Sequence, residues 1–189
     1  LLLQEGAPLG RADLEGILRD LESFLVRRTV CRQTTKNYNK MFMSLARKVR
    51  GADHITRDMV RSFLLEGKGP AAEWPNDSEF KTAWMELPLY QLLRRDRVAM
   101  MLDAIEANLR TQKTENIRID GALTVEHVLP QQWKDADYPL PVGIDDARER
   151  RDALVHTMGN LTLLTAPLNT AISNGSFTAK KKAVREHGL

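Results

Sequence analysis

Three short segments carry residue types that could cut a phosphodiester. In chain order they are Glu126-His127-Val128-Leu129-Pro130-Gln131, then Gly159-Asn160-Leu161-Thr162-Leu163-Leu164, then a stretch around Asn169. Hydrolysis needs a base to take a proton from water, and histidine suits this because its ordinary pKa lies near neutrality. It also needs a Lewis acid at the scissile phosphate and the leaving oxygen. A hard ion such as Mg²⁺ (or Mn²⁺) takes oxygen ligands, which Glu126 and the Asn169 amide can supply while water and phosphate fill the rest. The imidazole must also be held in one tautomer, which an amide such as Asn160 can do from the other ring nitrogen. These residues are therefore the candidate base (His127), orienter (Asn160) and metal ligands (Glu126, Asn169).

Each segment alone has a plainer reading. A strand-end histidine is usually only hydrogen-bonded. Asn160 after Gly159 reads as a turn residue behind a helix C-cap. Asn174-Gly175 marks a turn, and Lys180-Lys181-Lys182 reads as a solvated helix end facing the dipole. His156 reads first as a helix-end residue, with a place in the metal shell as its second reading; Asn174 has the same second reading. Order and spacing outweigh these readings. An acid–histidine pair on a strand, a loop, a second strand and a helix bearing Asn make a strand–strand–helix unit. Such a unit can hold one divalent ion between its first strand and its helix.

The elements that must position these groups follow from hydrophobic periodicity. Leu14, Leu18, Leu21 and Leu25 predict a helix over roughly 11–28. Thr34-Thr35 offers a cap for a second helix, with Tyr38, Phe42, Leu45 and Val49 as its apolar stripe and Lys36, Lys40 and Arg47 on another face. Asp53 or Thr56 can cap a third through Val60, Phe63 and Leu64, ending near Gly67-Lys68-Gly69-Pro70. A short helix is predicted from Asn76 to Glu86. After Pro88 a long one resumes from Leu89 to Leu109, burying Val98, Met101, Leu102, Ile105 and Leu109. Beyond Thr111, Ile117 to Asp120 and Leu123 to Val125 read as strands around a turn at Asp120-Gly121. A helix from Asp145 to about Met158, a strand from Leu161 to Thr165, and a helical end from Thr178 onward complete the pattern. The expected fold is α+β and predominantly α. Residues 1–112 form a helical subdomain with a basic face, and 113–189 form the strand–strand–helix core.

At the three chemical segments the chain resembles the HNH, or ββα-metal, nucleases. It is most similar to the nuclease domain at the C-terminus of GmrSD-type modification-dependent restriction and phage-defence proteins. The matching elements are EHVLPQ, GNLTLL and PLNTAISNGSFTAKKK, over about 123–182. A looser similarity extends upstream through LESFLVRRTVCRQTTKNYN. The resemblance implies divalent-metal nicking or cleavage of DNA, with His127 as base, Asn160 as its orienter, and Glu126 and Asn169 on the metal. It implies that Lys180 or Lys181 contacts phosphate. It also implies a partner region, a nucleotide-hydrolysing or modification-sensing N-terminal domain of the same protein, and a role in bacterial antiviral defence. HNH enzymes often place Asp where this chain has Glu126.

Charge and composition are consistent with that reading. The first 50 residues carry ten Lys/Arg against five Asp/Glu, 51–175 carry fourteen against nineteen, and 176–189 carry four against one. Residues 23–50 hold eight basic side chains and no acidic one, a pattern suited to a polyanion. Arg27, Arg28, Arg32, Lys36 and Lys40 are the candidate DNA contacts there, although Arg27-Arg28 also reads as a structural ion pair. The single cysteine, Cys31, excludes an internal disulfide and a cysteine-rich zinc site. No signal peptide or long apolar run is visible; the lone cysteine suits a reducing cytoplasm, and the resemblance implies that the cytoplasm is a bacterial one. The first residue is not Met, so the chain reads as a C-terminal fragment of a longer protein. The alternative to a nuclease is an inactive nucleic-acid-binding or regulatory helical module.

Overall fold

The computed structural model describes residues 9–110 and 121–186. The predicted strand at Ile117 to Asp120 lies outside them. Among the described residues the fold is predominantly helical with one small antiparallel sheet, as expected. No described helix is long and apolar enough to cross a membrane. The chain divides into two compact units between Ala83 and Trp84.

The first unit holds α1 (Arg11–Val30), α2 (Tyr38–Arg50) and α3 (Arg57–Leu65). Its core is Ile17, Phe24, Leu45, Val49, Ile55, Val60 and Leu64. The stripe of α2 is placed as predicted. Thr56 caps α3 by accepting from the Met59 amide at 3.3 Å, satisfying one of the helix's orphan donors. In α4 (Asp77–Glu86) a capping box closes the N-terminus: Glu79 N–H donates to Asn76 Oδ1, and Asn76 N–H donates to Glu79 Oε2.

The buried face of α1 is not the predicted leucine stripe. Leu18 and Leu25 are exposed, and the face that turns inward runs through Ile17, Asp20, Phe24 and Arg28. Two polar residues complete that face because both are fully engaged. Asp20 pairs with Arg57 and Arg61 at 2.6 to 3.0 Å. The Arg57 hydrogen bond is the main cause that holds its carboxyl below the ordinary range, against the opposing effect of burial. Gly16 is what lets Arg57 lie across α1, since a Cβ there would fall 2.4 Å from Arg57 Cδ.

Arg28 corrects the prediction most sharply. It is wholly buried and donates to Tyr38 Oη (2.9 Å) and to the carbonyls of Glu73 (2.6 Å), Thr34 (2.6 Å) and Pro70 (2.9 Å). Its guanidinium thus satisfies the backbone of two irregular segments and is unavailable to phosphate. Arg27 is similarly engaged, with Asp77 at 2.5 Å and the Pro75 carbonyl at 3.2 Å. Arg32 is exposed, adopts a left-handed backbone (φ 58°) and has a partner of its own. Lys36 and Lys40 are exposed.

In the second unit the predicted long helix is two. Leu93 and Arg94 are extended, separating α5 (Leu89–Leu92) from α6 (Arg95–Leu109). At the break the Arg95 side chain donates to the Tyr90 carbonyl. Val98 and Met101 are buried as predicted, but Ile105 and Leu109 are exposed.

That sheet pairs β1 (Leu123–His127) with β2 (Leu161–Thr165), placing Glu126 opposite Thr162 and His127 opposite Leu161. Helix α7 (Ala147–Leu154) is shorter than predicted and is followed by a 3-10 turn at Met158–Asn160. β2 then passes directly into α8 (Ala166–Ile172), with Pro167 in its first turn, where a missing N–H costs nothing. α9 (Phe177–Glu186) is the last described element. Leu164, Leu168 and Ile172 form the core beneath α8, with Ala183 and Val184 of α9 packed on it.

Arg28→Ala should lower the stability of the first unit by on the order of 3 kcal/mol, because it strands several buried carbonyls. Arg28→Lys should recover little, since an ammonium cannot reproduce the planar fork. Urea unfolding of the 189-residue chain reads this, and an unchanged midpoint for Arg28→Ala would contradict it.

Candidate active site

The end of β1 and the start of α8 frame a cleft of about 490 Å³. Glu126, His127 and Asn169 all line it, together with Thr124, Gln131 and Asn174. Sequence spacing therefore selected residues that converge in space. Antiparallel pairing sets Glu126 and His127 at the end of β1, and the absence of a loop between β2 and α8 brings Asn169 back alongside β1.

Asn169 is fixed on the strand it faces. Its Nδ2 donates to Thr124 Oγ1 at 2.8 Å and to the Val125 carbonyl at 3.3 Å. The nitrogen end of the amide is thus committed to the protein, and the carbonyl oxygen is the end that a ligand would meet. Thr124 shares a face of β1 with Glu126, as the period of two requires. It is a site residue that reading the strand by its alternation could have found.

Lys180 is only 5% exposed and does not face solvent. Its ammonium pairs with Glu126 Oε1 and donates to the His127 carbonyl at 2.7 Å. It is a structural counter-charge that ties α9 to the end of β1. The expectation of a phosphate contact passes to Lys181, which is exposed on α9.

Asn160 does not reach the His127 ring. Its Oδ1 accepts from the Leu129 amide (2.7 Å), and its Nδ2 donates to the carbonyls of Leu129 (2.9 Å) and Val155 (2.8 Å). The amide engages both backbone groups of Leu129 and closes the chain after β1 onto the chain before β2. The ring instead meets His156, whose Nδ1 lies 3.2 Å from His127 Nε2. Tyr90 meets His127 in a T-shaped contact at 4.3 Å between ring centroids and stacks nearly parallel on His156 at 5.8 Å. Tyr90 and Arg95 carry no local signature that would have marked them, because 37 and 32 residues of sequence separate them from His127 and hide their proximity to the site.

His127 is 3% exposed, and its pKa is lowered to about 4. Burial is the largest cause, followed by His156, Lys180 and Arg95. His156 is lowered as well, again chiefly by burial and then by Arg95. Both rings are therefore neutral at neutral pH, the form in which an imidazole accepts a proton.

Among the described residues no three His, Cys, Asp or Glu side chains come together as a metal cage. The cleft offers one carboxylate, an amide oxygen and an open polar wall. This donor set fits a hard cation that keeps several waters, and it does not fit zinc in a closed tetrahedral site.

The shift of His127 predicts acid sensitivity. A histidine whose folded pKa lies below its unfolded value contributes stability that is complete above about 6.5 and lost as the pH falls toward about 4. His127→Gln should flatten the fall in urea midpoint between pH 7 and pH 4, leaving the part that His156 and the carboxylates supply. Superimposable pH profiles for wild type and His127→Gln would refute the buried neutral imidazole.

Among protein families, one described as "GmrSD restriction endonucleases, C-terminal domain" matches residues 74–189. No curated protein and no solved structure matches the chain.

Proposed function

This chain belongs to the family of GmrSD restriction endonuclease C-terminal domains, and we propose that it is a divalent-metal-dependent DNA endonuclease of the HNH type. The observation that carries this reading is the convergence of Glu126, His127 and Asn169 on one cleft. Mg²⁺ or Mn²⁺ is the proposed cofactor, held by Glu126 and Asn169. When bound it would supply Lewis acidity at the scissile phosphate. His127 takes a proton from the attacking water through the ring nitrogen turned away from His156. Lys180 keeps Glu126 and the His127 backbone in place from the inner side. Burial around His127 excludes bulk water from the base.

The proposed substrate is bacteriophage or other foreign DNA, met in the cytoplasm of a bacterium. Lys36, Lys40 and Lys181 are the proposed backbone contacts, being the exposed members of the predicted basic set. A nucleotide-hydrolysing or modification-sensing N-terminal domain is the proposed regulatory partner, on the family resemblance alone. One observation favours a second reading. An ammonium already paired with Glu126 neutralises the carboxylate that a cation would need, as expected of an inactive binding module.

Plasmid nicking separates the two. Nicking with Mg²⁺ or Mn²⁺, abolished by EDTA and reduced about 10²–10⁴-fold in His127→Ala, is expected of the nuclease. DNA binding without cleavage under any divalent ion selects the binding module. Binding itself should weaken with salt, and each of Lys36→Ala, Lys40→Ala and Lys181→Ala should lower the slope of log K against log salt by about 1. Unchanged slopes in all three would place the DNA on another surface.

A further inference from the structure

One contact at the site has no role in the chemistry so far. His127 Nε2 and His156 Nδ1 are within hydrogen-bonding distance at 3.2 Å, with the two rings nearly perpendicular at 87°. A hydrogen bond between two neutral imidazoles has a direction, and only one direction leaves a base. If His156 Nδ1–H donates to His127 Nε2, then His127 carries its own proton on Nδ1 and presents no lone pair elsewhere. If His127 Nε2–H donates to His156 Nδ1, then His127 Nδ1 is left with its lone pair.

We propose that His156 is the positioning residue of this site: its Nδ1 accepts from His127 Nε2–H, fixing the tautomer in which His127 Nδ1 is the base. The inference rests on the nuclease reading, and it moves to His156 the role that sequence spacing predicts for Asn160. In the step, a water O–H bond breaks and its proton goes to His127 Nδ1. The water oxygen forms a bond to phosphorus, and the leaving oxygen departs with the electron pair of the broken P–O bond and takes a proton from solvent. His127 is then an imidazolium that still donates to His156, so the contact that selects the tautomer also stabilises the charged ring.

His156 is held for this purpose from several sides. Its carbonyl accepts from the Tyr90 amide at 3.1 Å, and its ring lies against the Tyr90 ring at an interplanar angle of 10°. The Tyr90 ring also presses on His127, so a single aromatic side chain orients both imidazoles. The Arg95 guanidinium lies 3.4 Å from the centre of the Tyr90 ring. Its positive charge disfavours a second proton on His156, which would remove the acceptor. Asn160 acts one step back. Its amide grips the carbonyl of Val155, the residue before His156, and the peptide of Leu129, two residues after His127.

The test pairs a spectroscopic reading with kinetics on the 189-residue chain. Long-range ¹H–¹⁵N NMR of the histidine rings at neutral pH should find His127 in the Nε2–H form. His156→Phe keeps a flat ring against Tyr90 but removes the acceptor. It should let His127 populate the Nδ1–H form and lower kcat for plasmid nicking by roughly 10–100-fold, with KM for plasmid little changed. His156→Asn places an amide oxygen near the position of Nδ1 and should restore most of the lost rate. A purely structural role predicts the reverse order, with Phe tolerated and Asn harmful. Wild-type nicking by His156→Phe, or an Nδ1–H tautomer for His127 in the wild type, overturns the inference. A wild type that holds the Nε2–H tautomer but fails to nick plasmid with any divalent ion overturns the nuclease reading instead. The wild-type tautomer measurement needs no variant, so it remains decisive should His156→Phe fail to fold.

Discussion

The site depends on the pairing of β1 with β2, a ladder of two five-residue strands. Two strands alone are marginal in water, because they bury too little to offset the ordering of their backbone. They persist here because α6 and α8 both pack against the two strands. The same requirement explains Lys180. An ammonium is rarely buried, and it is tolerated here because a carboxylate and a carbonyl receive it at the end of β1. The cleft is thus a by-product of covering a sheet too small to stand unaided, with its polar groups satisfied by the elements that cover it.

His127 draws its properties from the same arrangement. The ring sits where the ladder ends, so it is covered by Tyr90 and His156 on the protein side while still lining the cleft. Coverage depresses its proton affinity and, in the proposed mechanism, keeps it ready to accept. A base with a low pKa is weaker in its pull on a proton than one poised near neutrality. The proposed metal and the positioning by His156 are where that deficit would be made up.

Glu126, His127 and Asn169 are legible in the sequence because their meeting follows from local rules. Two paired strands, the second joined to a helix with no loop between them, leave little freedom in where the three side chains point. The fold class is legible for the same reason, through the stripes of α2 and α3 and the run from Leu161 to Thr165. The misreadings share a different cause. Asn160, Arg28 and Lys180 are polar residues whose partners are backbone carbonyls or a carboxylate far away in sequence, and no periodicity records those. Counting apolar positions on α1 misses its buried face because Asp20 and Arg28 occupy two of its places. Counting basic residues overstates the surface available to DNA, since Arg27 and Arg28 spend their charge internally. His156 falls between the two cases: visible as a histidine, but without the pairing that gives it a role.

The direct passage from β2 into α8 makes the two halves of the site unequal in their tolerance of length change. Between His127 and His156 the chain runs largely through exposed turns and the short helix α7, and Asn160 clamps only its two ends. Extra residues there can be looped out into solvent at a small entropic cost. Between Thr165 and Asn169 there is nowhere to put one. A single inserted residue would turn Asn169 by about 100° around the axis of α8 and carry it off Thr124. Relatives of this chain can therefore differ freely in the length of the first segment, while the count from the second strand to the helix asparagine is held by geometry.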